Sequence, residues 1–252
     1  MDLSGVTVVL PALDEAAALP AALASFPPGI DLLVVDNGSS DDTAAVAAAA
    51  GARVVTEPRR GFGAACWAGV QASPRAEVLA FADADGSFNG ADLEGVAGPV
   101  LRGQADLVVG SRTTGRREPG AMTAFAVAAN RTLGLACRLL FGVPLSDLGP
   151  FRAVRRDTLL ALGVRDRGQG WPLEMIGRAG RAGLRVVEVP VGYRPRAGGA
   201  SKVSGSLQGS MRAAAAMAAV TCRLLVERSR VRTGPGSARR PPAPTRFRSA
   251  GR

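Results

Sequence analysis

Short apolar runs recur through the first half of the chain, each ending in a polar, Gly-containing turn and each followed by an Ala- and Leu-rich stretch. Runs of this length predict strands near Val6–Leu10, Leu32–Val35, Arg53–Thr56, Val78–Ala82 and Asp106–Gly110. The intervening stretches predict helices near Glu15–Ser25, Thr43–Ala50, Gly63–Gln71 and Ala91–Arg102. Strands alternating with helices in this way build a doubly wound sheet. Beyond Arg112 the pattern changes to a helical region, about Ala121–Phe141, then a loop at Asp147–Arg152. A helix around Pro172–Ala182 and a strand at Arg185–Val189 close the domain.

Two strand ends carry chemistry. The run Val78–Ala82 ends in Asp83-Ala84-Asp85-Gly86, two carboxylates one residue apart. Ligands of open α/β sheets bind at the carboxyl ends of strands. Carboxylates released there repel one another unless a cation compensates, and their oxygens suit Mg²⁺ or Mn²⁺, which usually bridge to phosphates. The run Leu32–Val35 ends in Asp36-Asn37-Gly38-Ser39-Ser40-Asp41-Asp42-Thr43. Its serines and acids suit a helix cap. Capping does not ask for Asp36 at the strand tip, where a carboxylate can accept from a nucleobase N–H.

Further motifs follow in order: Leu10-Pro11-Ala12-Leu13-Asp14-Glu15 after the first strand, Arg60-Gly61-Phe62-Gly63-Ala64-Ala65, Gly110-Ser111-Arg112, and Arg194-Pro195-Arg196-Ala197-Gly198-Gly199-Ala200-Ser201-Lys202. With the two strand ends they make six motifs in one order, over roughly Val6 to Gly205. The sequence resembles the family 2 glycosyltransferases of the GT-A fold, and among them the polyprenyl (dolichyl) phosphate sugar synthases. The resemblance implies a Rossmann-like doubly wound mixed sheet flanked by helices, with nucleotide held by its first half. It implies Pro11, Ala12 and Glu15 at the nucleoside and Asp36 at the base. Arg60, Gly61, Asp83 and Ala84 complete the nucleotide set, and Asp83 and Asp85 hold the metal. Gly in Arg60-Gly61-Phe62-Gly63 permits close backbone approach, and the helix start behind it favours an anion.

Composition sharpens the acceptor side. The chain of 252 residues has no His, one Lys (Lys202) and one Tyr (Tyr193), and the last two lie in the same loop. Arg196, Ser201 and Lys202 supply donors for a phosphate, with Arg112 and Arg131 as further contacts. A sugar hydroxyl must lose a proton and calls for a base. A phosphomonoester is already anionic at neutral pH. Glu174 is the candidate base if one is used, with Asp147 second; a structural Glu on a helix fits Glu174 equally. The catalytic set is therefore Asp85, Arg112, Glu174, Arg196 and Lys202.

The net charge of +10 is concentrated at one end: Arg223 to Arg252 holds nine Arg and one acid, Glu227, which leaves +2 for the rest. The expected division is a glycosyltransferase domain over residues 1–205, an amphipathic helix over 206–230 and a disordered Pro/Arg-rich tail over 231–252. The helix is expected to pack on the domain or lie at a membrane surface. Cys66, Cys137 and Cys222 show no metal or disulfide spacing and are expected to be reduced and buried. With no basic leader and no bilayer-length apolar run, the expected location is cytoplasmic, peripheral on the membrane. The function these features predict is transfer of a hexose from a UDP- or GDP-sugar to a polyprenyl phosphate, with inversion. The alternatives are a hydroxyl-directed family 2 enzyme, a sugar nucleotidyltransferase and a nucleic-acid binder. Pro11-Ala12-Leu13 is not a triphosphate loop, and 4% aromatic content is sparse for base stacking, so no nucleic acid is expected.

Overall fold

A computed structural model of the chain describes residues 2–198 and 207–233. Its elements in chain order are β1 (Val6–Ala12), α1 (Leu19–Ala24), β2 (Asp31–Asp36), α2 (Thr43–Ala49), β3 (Arg53–Thr56), α3 (Phe62–Gln71), β4 (Val78–Phe81), α4 (Leu93–Leu101), β5 (Leu107–Ser111), α5 (Ala124–Phe141), β6 (Arg152–Arg155), α6 (Arg156–Leu162), α7 (Trp171–Arg181), β7 (Val186–Pro190) and α8 (Leu207–Thr233). The strands form one sheet in the order β3-β2-β1-β4-β6-β5-β7. All neighbours run parallel except β6, which is antiparallel to both β4 and β5. The sheet is thus mixed, with helices on both faces.

Burial explains why the strands read as continuous apolar runs. Every residue of β4 and β5 is buried, as are the first five of β1. One face packs Val9, Leu33, Leu79, Leu107 and Val109 against α3, α7 and α8; the other packs Val8, Leu10, Val34, Ala80 and Val108 against α1 and α4. Parallel strands covered on both sides have no polar face to show.

The expected loop at Asp147–Arg152 ends in a strand that the sequence pattern does not reveal. β6 is Arg-Ala-Val-Arg, too short and too polar at its ends to register as an apolar run, yet its first three residues are buried between β4 and β5. Helix α6, which follows it directly, is also outside the expected pattern. The first helix is shorter than predicted. The amides of Asp14, Glu15 and Ala16 are drawn into bonds with Ser39, Thr43 and Asp41, and the helix starts only at Leu19.

Helix α8 packs on α7. Ala213, Val220 and Leu224 are buried, and the glycines of α7 make room for them: a Cβ at Gly177 would lie 2.6 Å from Leu224 Cδ1. Cys66 and Cys137 are buried and Cys222 is exposed, so the third thiol departs from expectation. Ser201, Lys202 and the chain from residue 234 onward lie outside the described residues.

Candidate active site

The predicted donor residues gather at the carboxyl ends of β1, β2 and β4. Ala12 lies in register with Asp36, and Pro11 with Val35, so the tips of β1 and β2 stand side by side. Asp36 is buried, and its Oδ1 accepts from the Ser39 amide at 3.0 Å. Beyond Ala12 the backbone turns through Asp14 at φ 50°, a conformation that Asp tolerates better than most residues. Asp14 Oδ1 accepts from the Ser40 amide at 2.7 Å, and the Glu15 amide donates to Thr43 Oγ1 at 2.9 Å. These bonds stitch the β1 turn to the β2 turn and leave Glu15 at the same end as Asp36.

At the tip of β4, Asp85 is buried and Asp83 half-buried. Asp85 Oδ1 accepts from the Ser87 amide, while Oδ2 receives Arg196 through Nε at 3.0 Å and a terminal nitrogen at 2.7 Å. The same Arg196 nitrogen lies 3.5 Å from Glu15 Oε1. Burial, then the neighbouring charge of Asp85, pushes Asp83 up to about 7, against the pull of Arg112, Arg152 and Arg196. A carboxylate whose charge is this poorly balanced, one residue from a second, fits a divalent cation shared by the two. Among the described residues no three acids, Cys or His form a metal cluster. The protein would therefore offer two carboxylates and leave the other positions to diphosphate and water, the arrangement Mg²⁺ prefers.

Cations line the opposite wall. Arg112, directly after β5, grips Asp147 with two bonds of 2.8 Å, and its backbone amide donates to the same carboxylate. Burial opposes the Arg112 charge, but the Asp147 bonds outweigh it and raise its pKa. Asp147 is in turn fixed by Glu188 of β7, whose Oε1 accepts from the amides of Ser146 and Asp147. The Arg112 guanidinium sits 5.2 Å from the ring centroid of Tyr193, and Tyr193 packs on Phe88. Arg194 donates to the Gly86 carbonyl at 2.8 Å, and the Ala197 amide to the Asp85 carbonyl at 3.0 Å. The loop leaving β7 therefore folds across the β4 tip.

Nothing in the sequence pattern singles out Arg152. It is buried at the start of β6, where it donates to the carbonyls of Leu148 and Gly149, and burial lowers its pKa to about 10. Its charge acts on both Asp83 and Asp147. No spacing rule marks it, because only the pairing of β6 with β4 brings it beside Asp83.

Other predicted residues are engaged differently. Arg60 is exposed and donates to the Gly38 carbonyl. The glycines after it serve packing: a Cβ at Gly61 would collide with the Arg167 carbonyl oxygen, and one at Gly63 would lie 2.7 Å from that of Asp166. The amides of Gly63 and Ala64 already donate to Gly168 and Arg167, so these two are not offered to an anion as the helix start predicts. Asn37 holds this loop, accepting from the Gly61 amide and donating to the carbonyls of Glu57 and Arg59. Arg131 is exposed on the outer side of α5. Glu174 is fully buried on α7. Its Oε2 accepts from the amides of Arg165 and Asp166 and from Arg223, and its Oε1 from Arg178 at 2.7 Å. Those bonds clamp α7 to α8.

The sequence profile of glycosyl transferase family 2 matches residues 7–159. An uncharacterised glycosyltransferase of Mycobacterium tuberculosis is 51% identical over 209 residues, 82% of this chain and 93% of its own length. A polyprenol monophosphomannose synthase of Mycolicibacterium smegmatis is 34% identical, covering 79% of this chain and 81% of its own. Among solved structures, glucosyl-3-phosphoglycerate synthase of Mycobacterium tuberculosis, crystallised with Mn²⁺, UDP and glucosyl-3-phosphoglycerate, superposes with a TM-score of 0.66 at 26% identity, covering 87% of this chain and 79% of that one. The fold, the ordered motifs and these relatives agree: the chain is a nucleotide-sugar-dependent GT-A enzyme and belongs to glycosyltransferase family 2.

Proposed function

We propose that this enzyme moves a hexose from a UDP- or GDP-sugar to a polyprenyl phosphate at a membrane surface, with inversion and with a divalent metal. The observation that carries the acceptor class is the engagement of both candidate bases. Asp147 is spent on Arg112, and Glu174 on Arg178 and Arg223. The chain has no His. An acceptor that arrives already ionised needs cations more than a base; Arg194 and Arg196 stand beside the β4 tip, and a metal taking Asp85 would release Arg196 to an acceptor phosphate. The similarity to polyprenyl-phosphate mannose synthases supports the same acceptor. A second reading has its own support: the structural neighbour that binds UDP and Mn²⁺ acts on a small phosphorylated acceptor rather than a lipid.

Asp83 and Asp85 would hold the metal, which supplies Lewis-acid stabilisation of the departing nucleoside diphosphate. Glu15 would accept from ribose hydroxyls and Asp36 from the base. Replacing Asp36 by Ala is expected to weaken nucleotide binding by about 1–3 kcal/mol, the scale of a lost charged hydrogen-bond partner. Calorimetry with UDP and with GDP measures it, and unchanged affinity for both would refute the assignment.

Acceptor and donor are tested together by nucleoside diphosphate release from a panel of sugar nucleotides, with a polyprenyl phosphate, with 3-phosphoglycerate and with neither. Release specific to the lipid phosphate is expected. Lys202 enters as a proposal from sequence. Its change to Ala is expected to slow lipid-phosphate transfer about 30- to 150-fold, the equivalent of 2–3 kcal/mol for a lost charged contact. Lys202→Arg should rescue in part, since a guanidinium is planar and larger than an ammonium. Wild-type transfer by Lys202→Ala would remove Lys202 from the acceptor site.

A further inference from the structure

Helix α5 is exposed along one side where a core helix would be covered. Its inner edge is fixed to the domain. Gly134, Cys137 and Phe141 are buried, and a Cβ at Gly134 would collide with the Leu145 carbonyl oxygen. The outer edge shows Phe125 at 75% exposure, Leu135 at 56% and Leu139 at 72%. These positions, at spacings of ten and four, fall on one face of a helix. Arg131 and Arg138 are exposed alongside that face, and α5 contains no acid. Among the described residues α5 is the one helix long and apolar enough to cross a membrane, and only 17% of it is buried. Gly134, Cys137 and Phe141 hold its C-terminal half against the domain.

We propose that the outer face of α5 is a docking surface for an anionic lipid bilayer. Aromatic and aliphatic side chains interleaved with Arg, on a helix lying flat against its domain, match what the boundary between headgroups and acyl chains accepts. The two arginines meet lipid phosphates while Phe125, Leu135 and Leu139 enter the acyl region. Eleven residues join Arg112 to the first residue of α5. The sequence leaves α8 open between packing and a membrane surface; it turns Val220 and Leu224 inward and Met211 and Val226 outward, so the test must separate the two helices. The docking does not depend on which acceptor the enzyme uses, and it is measured without one.

The test is flotation of the full chain with phosphatidylcholine vesicles and with vesicles that also contain phosphatidylglycerol, no polyprenyl phosphate being present. The wild type is expected to float with the anionic vesicles. The triple variant Phe125→Ser, Leu135→Ser, Leu139→Ser keeps the basic tail, so any loss belongs to α5. Its partitioning is expected to fall at least about tenfold, because three exposed apolar side chains no longer enter the lipid. Circular dichroism and melting confirm that it folds, as substitutions at exposed positions should allow. Undiminished flotation of the folded triple variant would overturn the proposal. So would sedimentation showing a wild-type dimer that the triple variant abolishes, since a second copy would then cover the face.

Discussion

Replacing Asp85 by Asn is expected to reduce sugar transfer by roughly a thousandfold or more, because metal charge on the leaving diphosphate is worth several kcal/mol at about 1.4 kcal/mol per decade. The change is nearly isosteric. The amide oxygen of the new side chain would still accept from the Ser87 amide, and loss of the Arg196 pair is offset by relief of the repulsion from Asp83, so the melting temperature should move less than in Glu174→Gln below. What disappears is the negative oxygen that Arg196 now contacts from two nitrogens and that a divalent cation would take. Two measurements separate these roles. Manganese binding in the presence of UDP, followed by calorimetry, should be lost in Asp85→Asn. Wild-type activity should collapse in excess chelator and return with added Mg²⁺ or Mn²⁺. Full activity in chelator would remove the metal from the proposed reaction.

The second large effect is on stability. Glu174→Gln is expected to lower the melting temperature by about 6–12 °C, the equivalent of about 3 kcal/mol for breaking a buried ion pair in a chain of this size. Both oxygens of Glu174 are used, and the side chain is fully buried. The neutral amide deprives Arg178 of its nearer charged partner, leaving Glu227 at 3.3 Å, and forces an N–H toward groups that are themselves donors. Arg223 is partly exposed and can turn to water, which limits the loss. Hydrogen exchange should rise along α8, since Arg178 and Arg223 reach this one carboxylate from both helices. Activity per folded molecule should hold with the lipid-phosphate acceptor. A variant that melts like wild type but transfers nothing would return Glu174 to the role of a base.

These expectations show where sequence was legible. Strand tips were readable because a buried parallel strand is a continuous apolar run, so Asp36 and Asp83-Ala84-Asp85 announce themselves by interrupting one. The cation wall was half readable. Arg112 and Arg196 sit in motifs, but Arg152 and Glu188 act from strands whose partners are distant in the chain. Glu188 braces Asp147 across 41 residues, a relation that no local pattern encodes. The glycines at 61 and 63 misled for a physical reason. A small residue before a helix serves a phosphate or a neighbouring backbone equally well, and here Arg167 and Asp166 are the neighbours. Exposure on α5 was also hidden, because an apolar helix facing solvent and one facing a core have the same composition.

The reversed strand β6 has a consequence for how this enzyme can change over evolutionary time. Its direction brings its first residue, and the turn before it, to the same rim as the ends of β4 and β5. Arg152 is therefore placed by hydrogen-bond ladder, like a tooth in a rack, rather than by a loop of adjustable length. The connections that leave this rim can lengthen and diversify, and substrate preference can drift with them. An inserted or deleted residue within Arg152–Arg155 cannot be absorbed in that way: it turns every following side chain to the opposite sheet face and slides the buried guanidinium off its acid neighbours. A change of length is thus more readily absorbed in the loops after β5 and β7 than within β6.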